Sequence, residues 1–101
     1  MKNMMWLADK CLADTLAQFR IGCDKRNYEI LQKCPTTILE LQKILETKGV
    51  KPINSRVNAL EEVGLVIRER GAGKVRITQE GKNLVSLVKR RYAKLIEERL
   101  D

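Results

Sequence analysis

The sequence predicts a single α+β domain, mostly helical, in which a β-hairpin is set between a run of helices and one long final helix. Three observations carry this prediction. Apolar residues recur at helical spacing at both ends of the chain and in three shorter stretches between them. Two alternating runs, LVIRER and KVRIT, flank Gly71-Ala72-Gly73 as the arms of a hairpin flank its turn. A chain of 101 residues with no repeat, low-complexity tract or linker suits one core.

Each element follows from local signals. Met5, Ala8, Leu12, Leu16 and Phe19 form one stripe, with Trp6 and Cys11 near its edges, and predict a helix over 3–20 that Gly22 ends. Asp24 is placed to cap a short second helix burying Tyr28, Ile30 and Leu31, which Cys34 and Pro35 stop. Thr37 and Glu40 in TILE have the spacing of a capping box and open a third helix that buries Ile38, Leu41 and Leu45, with Ile44 beside them. In TKGVKP, Gly49 suits a C-cap and Pro52 the first turn of a fourth helix, with Ile53, Val57, Leu60 and Val63 inward and Gly64 closing it. Thr78 then opens a helix over 79–100, about 30 Å long, with Leu84, Leu87, Val88, Arg91, Tyr92, Leu95 and Ile96 along one side. A helix as long as the domain is wide is expected to project or to find a partner.

Composition narrows the function. The net charge is +7, and it is uneven: residues 1–47 hold seven Lys and Arg against six Asp and Glu, residues 48–101 thirteen against seven. A basic second half attracts polyanions, and nucleic acid suits it better than a membrane surface, since no segment joins a basic face to a broad aromatic and leucine face. Asp9, Lys10 and Asp14 interrupt the N-terminal stretch where a signal peptide needs an unbroken apolar run, so a cytoplasmic chain is expected. Histidine is absent, which removes the commonest general base and zinc ligand, so neither catalysis nor a metal or other cofactor is expected. Cys11, Cys23 and Cys34, separated by eleven and ten residues, form no C-x-x-C pair and read as reduced, small, buried or half-buried apolar side chains. A thiolate sensor is the alternative, and it requires them to converge.

RGAGKVRIT invites a phosphate-loop reading, which fails on two counts. A Walker loop needs glycine where Arg68 stands and Ser or Thr where Val75 stands. As a hairpin, with Ile67 facing the core opposite Val75 or Ile77, alternation gathers Arg68, Arg70, Lys74 and Arg76 on the other face. Four cations there repel one another without an anion.

The stretch SRVNALEEVGLVIRERGAGKVRITQEGKNL, above all ALEEVGLV and ITQEGK, resembles the corresponding part of winged helix-turn-helix transcriptional regulators of the ArsR, MarR and PadR type, archaeal members included. The likeness spans roughly residues 25–85. It implies a helix-turn-helix core over 25–64, a wing over 65–78, and sequence-specific binding of double-stranded DNA. The helix over 52–63 would lie in the major groove, and the basic strands of 66–77 on the backbone or minor groove. Carried over by position, Lys51, Asn54, Ser55, Arg56 and Asn58 would meet the groove, and Arg68, Arg70, Lys74 and Arg76 the wing contacts. Asn pairs bidentately with adenine and Arg with guanine.

The flanking helices expose more apolar surface than one small core covers, so a homodimer is expected, built on Met5, Leu12, Leu16 and Phe19 of the first helix and Leu84, Val88, Leu95 and Ile96 of the last. A protein-interaction module of the transcription or replication machinery, with no direct DNA readout, is the alternative. With four aromatic residues in the chain, no small-molecule pocket is legible.

Overall fold

The computed structural model describes residues 2–69, 71 and 73–100, and among them the side chains of 7–69, 71 and 73–99. In chain order the elements are α1 (Lys2–Gly22), α2 (Lys25–Lys33), β1 (Thr36–Thr37), α3 (Ile38–Ile44), α4 (Lys51–Glu62), β2 (Val66–Glu69), β3 (Lys74–Ile77) and α5 (Gln79–Leu100). The α+β, mostly helical class is as expected. The strands form one antiparallel sheet in the order β1-β3-β2.

Side-chain oxygens start three of the helices. Asp24 Oδ1 accepts from the amides of Arg26 and Asn27 at 3.1 and 3.2 Å, and Thr37 Oγ1 from that of Glu40 at 3.1 Å. Thr78 Oγ1 accepts from the amide of Gly81 at 3.0 Å, and its hydroxyl donates to the carbonyl of Gly64 at 2.7 Å. The capping box is only half formed. Glu40 does not reach back to the amide of Thr37; its carboxylate accepts from the hydroxyl of Thr36 at 3.0 Å. Thr36 and Thr37 are extended and pair with Val75 and Lys74, so α3 is entered from a strand that local pattern did not reveal.

Helix ends are set by one backbone motif used twice. After α4, Gly64 takes φ +82°, its amide donates to the carbonyl of Glu61 at 3.0 Å, and the amide of Leu65 reaches that of Leu60 at 3.0 Å. After α3 the same 6→1 bond runs from Thr47 to Gln42 at 3.2 Å, but the left-handed residue is Glu46, at φ 53°. The expected C-cap, Gly49, lies beyond the motif; α3 stops a turn earlier because Leu45 is drawn into the core.

The core joins Ile30 and Leu31 of α2, Leu41 of α3, Ile53, Val57 and Leu60 of α4, and Leu65, Val66 and Val75 of the hairpin. Two glycines allow the long helices to close on it. A methyl at Gly22 would lie 2.9 Å from the Cδ1 atoms of both Leu65 and Leu84. One at Gly81 would overlap the carbonyl oxygen of Leu65 and sit 2.6 Å from Ile77 Cγ1. At the α1–α5 crossing, Gln18 Nε2 donates to the carbonyl of Val63 at 3.0 Å and to the Glu80 carboxylate. Past it α5 stays on the core as far as Val88, and the molecule is flat, 48 × 45 × 20 Å.

Two outcomes follow. Gly81→Ala forces backbone apart at the root of the hairpin and is expected to cost about 2 to 3 kcal/mol, lowering the thermal midpoint by roughly 10 °C or more. Circular dichroism melting checks it, and an unchanged midpoint contradicts the packing described. Glu46→Gly relieves a left-handed conformation that carries a Cβ and is expected to raise stability by about 1 kcal/mol, read as a higher urea midpoint at constant slope.

Candidate nucleic-acid interface

The candidate interface is built on α4 and the hairpin. The buried stripe of Ile53, Val57 and Leu60 turns Lys51, Ser55, Asn58 and Glu62 outward at spacings of four, three and four. All four are exposed. The face thus carries one cation, two neutral polar groups and one carboxylate.

Asn54 and Arg56 lie on its two flanks, and each is tied to a neighbouring element. Arg56 does not project with Ser55; it turns toward the start of α2. One of its guanidinium nitrogens donates to Asp24 Oδ1 at 2.8 Å and to Asn27 Oδ1 at 3.1 Å. Asn27, buried, in turn donates from Nδ2 to the carbonyl of Ile21 at 2.9 Å. Arg56 therefore links α4 to the α1–α2 junction. At 100° per residue it stands beside Leu60 on the helical wheel, well away from Lys51 and Asn58, and this could have been read from the sequence. The carboxyl of Asp24 is held below the ordinary aspartate value, chiefly by the amide of Asn27 and against partial desolvation, with Arg56 and the amide of Arg26 adding to the effect.

The other flank meets the hairpin. Val66 pairs with Ile77, Ile67 with Arg76, Arg68 with Val75, and Glu69 with Lys74. This register is one residue from the expected facing. Val66 is buried and Ile67 is 56% exposed, so alternation carries Arg68 to the inner face and leaves Ile67, Glu69, Lys74 and Arg76 outside. The cause lies upstream, where the motif at Gly64 drives Leu65 and Val66 consecutively into the core. The four cations are not gathered on one face. Arg70 lies outside the described residues. Arg68 donates from its terminal guanidinium to Asn54 Oδ1 at 2.7 Å, and its Nε is buried with no hydrogen-bond partner. Its amide, on the sheet edge, donates to the Glu61 carboxylate at 2.9 Å.

On the outer face Arg76 donates to Glu69 at 2.6 Å, and that bond chiefly holds the Glu69 carboxyl below its ordinary value. Lys74 and Arg76 border a shallow cleft with Pro35, Thr36, Thr37, Glu40 and Glu69. The described cations that stand outward with Ile67 are thus Lys74, which forms no ion pair with a described residue, and Arg76, which pairs with Glu69.

The flanking helices divide as well. Leu12 and Leu16 are 59% and 54% exposed and Phe19 is exposed; Ile96 is exposed and Leu95 half-buried. Leu84, expected at a subunit contact, is buried at 5% within the chain against Gly22 and Leu65, and Val88 packs beside the core. The side chain of Met5 lies outside the described residues. Among those described, Leu87 and Tyr92 are further exposed apolar side chains. Of the three cysteines expected to be buried or half-buried, Cys11 and Cys23 are exposed, on and just beyond α1 away from the core; Cys34 alone is half-buried, donates to the carbonyl of Ile30 at 3.2 Å, and has its thiol pushed up to about 11 by burial. No group of three or more Cys, Asp or Glu converges as a metal site among the described residues, and none of their helices is long and apolar enough to cross a membrane.

No protein-family model matches the chain, and a search of curated proteins found no match.

Asp24→Asn keeps an N-cap oxygen but removes the charge facing Arg56. Because the folded carboxyl titrates below its free value of 3.8, its contribution is present above that pH and is lost as pH falls through the folded value. Denaturant melts are expected to show the variant less stable than the parent at pH 7, the gap narrowing below about pH 4. A gap independent of pH would rule out an electrostatic origin.

Proposed function

We propose that the chain is a winged-helix transcriptional regulator that binds double-stranded DNA as a homodimer. The observation that carries the reading is a polar outward face on α4 together with an adjoining hairpin whose outer face carries Lys74 and Arg76. The α3–turn–α4 unit supports it, as does the charge of the second half of the chain. In this reading α4 enters the major groove, where Lys51 grips phosphate and Ser55 and Asn58 meet base edges. The hairpin is the wing, resting on the flanking backbone. Arg56 is withdrawn from the reading surface and sets the angle at which α4 is presented. The apolar stripe of Leu12, Leu16 and Phe19, with Ile96 on α5, is covered by a second copy, and two α4 helices then meet major grooves about 34 Å apart on a pseudo-palindrome.

The exposed apolar stripe on α1 also favours a second reading, in which that face docks another protein and no DNA is read. Mobility-shift titrations at two salt concentrations separate the two. A regulator is expected to bind duplex DNA at low salt and to weaken steeply with salt, as about four or more phosphates per protomer are neutralised. Charge reversal at Lys74 and Arg76 is expected to lower affinity at least tenfold, while Leu12→Asp with Leu16→Asp lowers the apparent mass in sedimentation. No binding at low salt, or binding indifferent to salt, would falsify the DNA reading.

A further inference from the structure

The contact between Arg68 and Asn54 determines what the edge of α4 is able to read. Asn54 projects from the first turns of α4 at the side next to the hairpin. A free asparagine offers an acceptor and a donor together, the pattern that matches adenine. Here the two are no longer equivalent. Arginine carries only donors, so the amide atom 2.7 Å from its guanidinium is the oxygen, and the NH2 group is the end left over. That NH2 makes no hydrogen bond within the described chain.

Arg68 is itself held in place. It sits on the inner face of β2 across from buried Val75, its backbone amide is tied to Glu61, and its Nε is sealed from water. No carboxylate among the described residues forms an ion pair with it. The guanidinium is thus a cation with no ion-pair partner among the described residues, fixed beside the oxygen of Asn54. A charge there disfavours any donor that approaches the oxygen, such as the amino group of adenine. It also polarises the amide, so that the NH2 becomes a stronger donor toward an acceptor pair.

We infer that Arg68 is a positioning residue that converts Asn54 into a donor-only reader, so that the base pair beneath it is selected for the paired acceptors N7 and O6 of guanine. This rests on the DNA-binding reading above. It removes Arg68 from the wing's backbone contacts and reverses the adenine preference expected of a free asparagine.

The test is selection of bound sequences from a random-sequence duplex library by the full chain, by Arg68→Met, by Arg68→Lys and by Asn54→Asp, with the thermal midpoint of each protein measured alongside. The parent is expected to enrich guanine over adenine by roughly tenfold at one position per half-site. Arg68→Met frees the oxygen, and enrichment at that position shifts toward adenine while the other positions keep theirs. Arg68→Lys restores a cation and returns the guanine preference. Asn54→Asp, nearly isosteric and without a donor, flattens that position alone, and it carries the test if Arg68→Met does not fold. Identical selections by the parent and a folded Arg68→Met, or adenine at the position that Asn54→Asp flattens, overturn the inference and leave the DNA reading intact. Failure of the parent to enrich any sequence, or to bind DNA in a salt-dependent way, removes the DNA reading and this inference with it.

Discussion

The structure turns on Leu65. Its amide closes the end of α4 on the carbonyl of Leu60, and its own carbonyl accepts from the amide of Thr78, the residue that caps α5. Its side chain is fully buried against Leu84, where Gly22 leaves space for it. The same carbonyl lies so near Gly81 that no other residue fits there without backbone movement. The end of α4, both ends of the hairpin and the start of α5 are therefore defined at one residue. The C-terminal end of α1 reaches the same point through Gly22, and nearby through Gln18 bonding to Val63 and Glu80. Displacing Leu65 would release the hairpin and both long helices together.

From that point outward α4 is fixed along both flanks. Arg56 joins it to the α2 cap through Asp24 and Asn27, and Asn54 joins it to β2 through Arg68. Each link is an ionic or charge-assisted bond at or near the surface, modest in net stability but directional. The core stripe sets how deep α4 lies, and the two arginines limit its rotation about its own axis. A helix held in that way presents Lys51, Ser55 and Asn58 in one orientation, which is what recognition by a rigid face requires.

Features decided within a few residues were readable from the sequence. Asp24, Thr37 and Thr78 cap the helices they precede, because an N-cap needs only a side-chain oxygen and an amide two or three residues on. Gly64 ends α4 visibly, since glycine is the common left-handed residue. Glu46 performs the same task for α3 with no compositional sign, whereas Gly49, which carries one, lies beyond the motif. Facing across the hairpin is not legible locally, because alternation gives two equivalent phases. The phase is chosen by the burial of Leu65 and Val66, a tertiary matter. The helical wheel shows the inward phase of Arg56, but the partners that hold Arg56 and Arg68, Asp24 and Asn54, lie 32 and 14 residues away, beyond the reach of local pattern. Leu84 read as surplus apolar area because the space left by Gly22 is invisible in a helical wheel.

The tip of the hairpin contrasts with its root. Gly71 and Gly73, at φ +88° and +64°, have nothing within 4 Å of where a side chain would begin. Among the described residues the turn is tethered by the amide of Ile38, which donates to the carbonyl of Gly73 at 3.0 Å and steadies its β3 side. Residues inserted between Glu69 and Gly73 would enlarge only the loop, at about 0.6 kcal/mol for each doubling of its length, while the four paired positions below stay in register. Loop length at the tip is in this sense a variable separate from the fold. The same few residues are the natural place to attach a fluorophore or cross-linker, since a label there reports on what approaches the ribbon without disturbing the joint at Leu65.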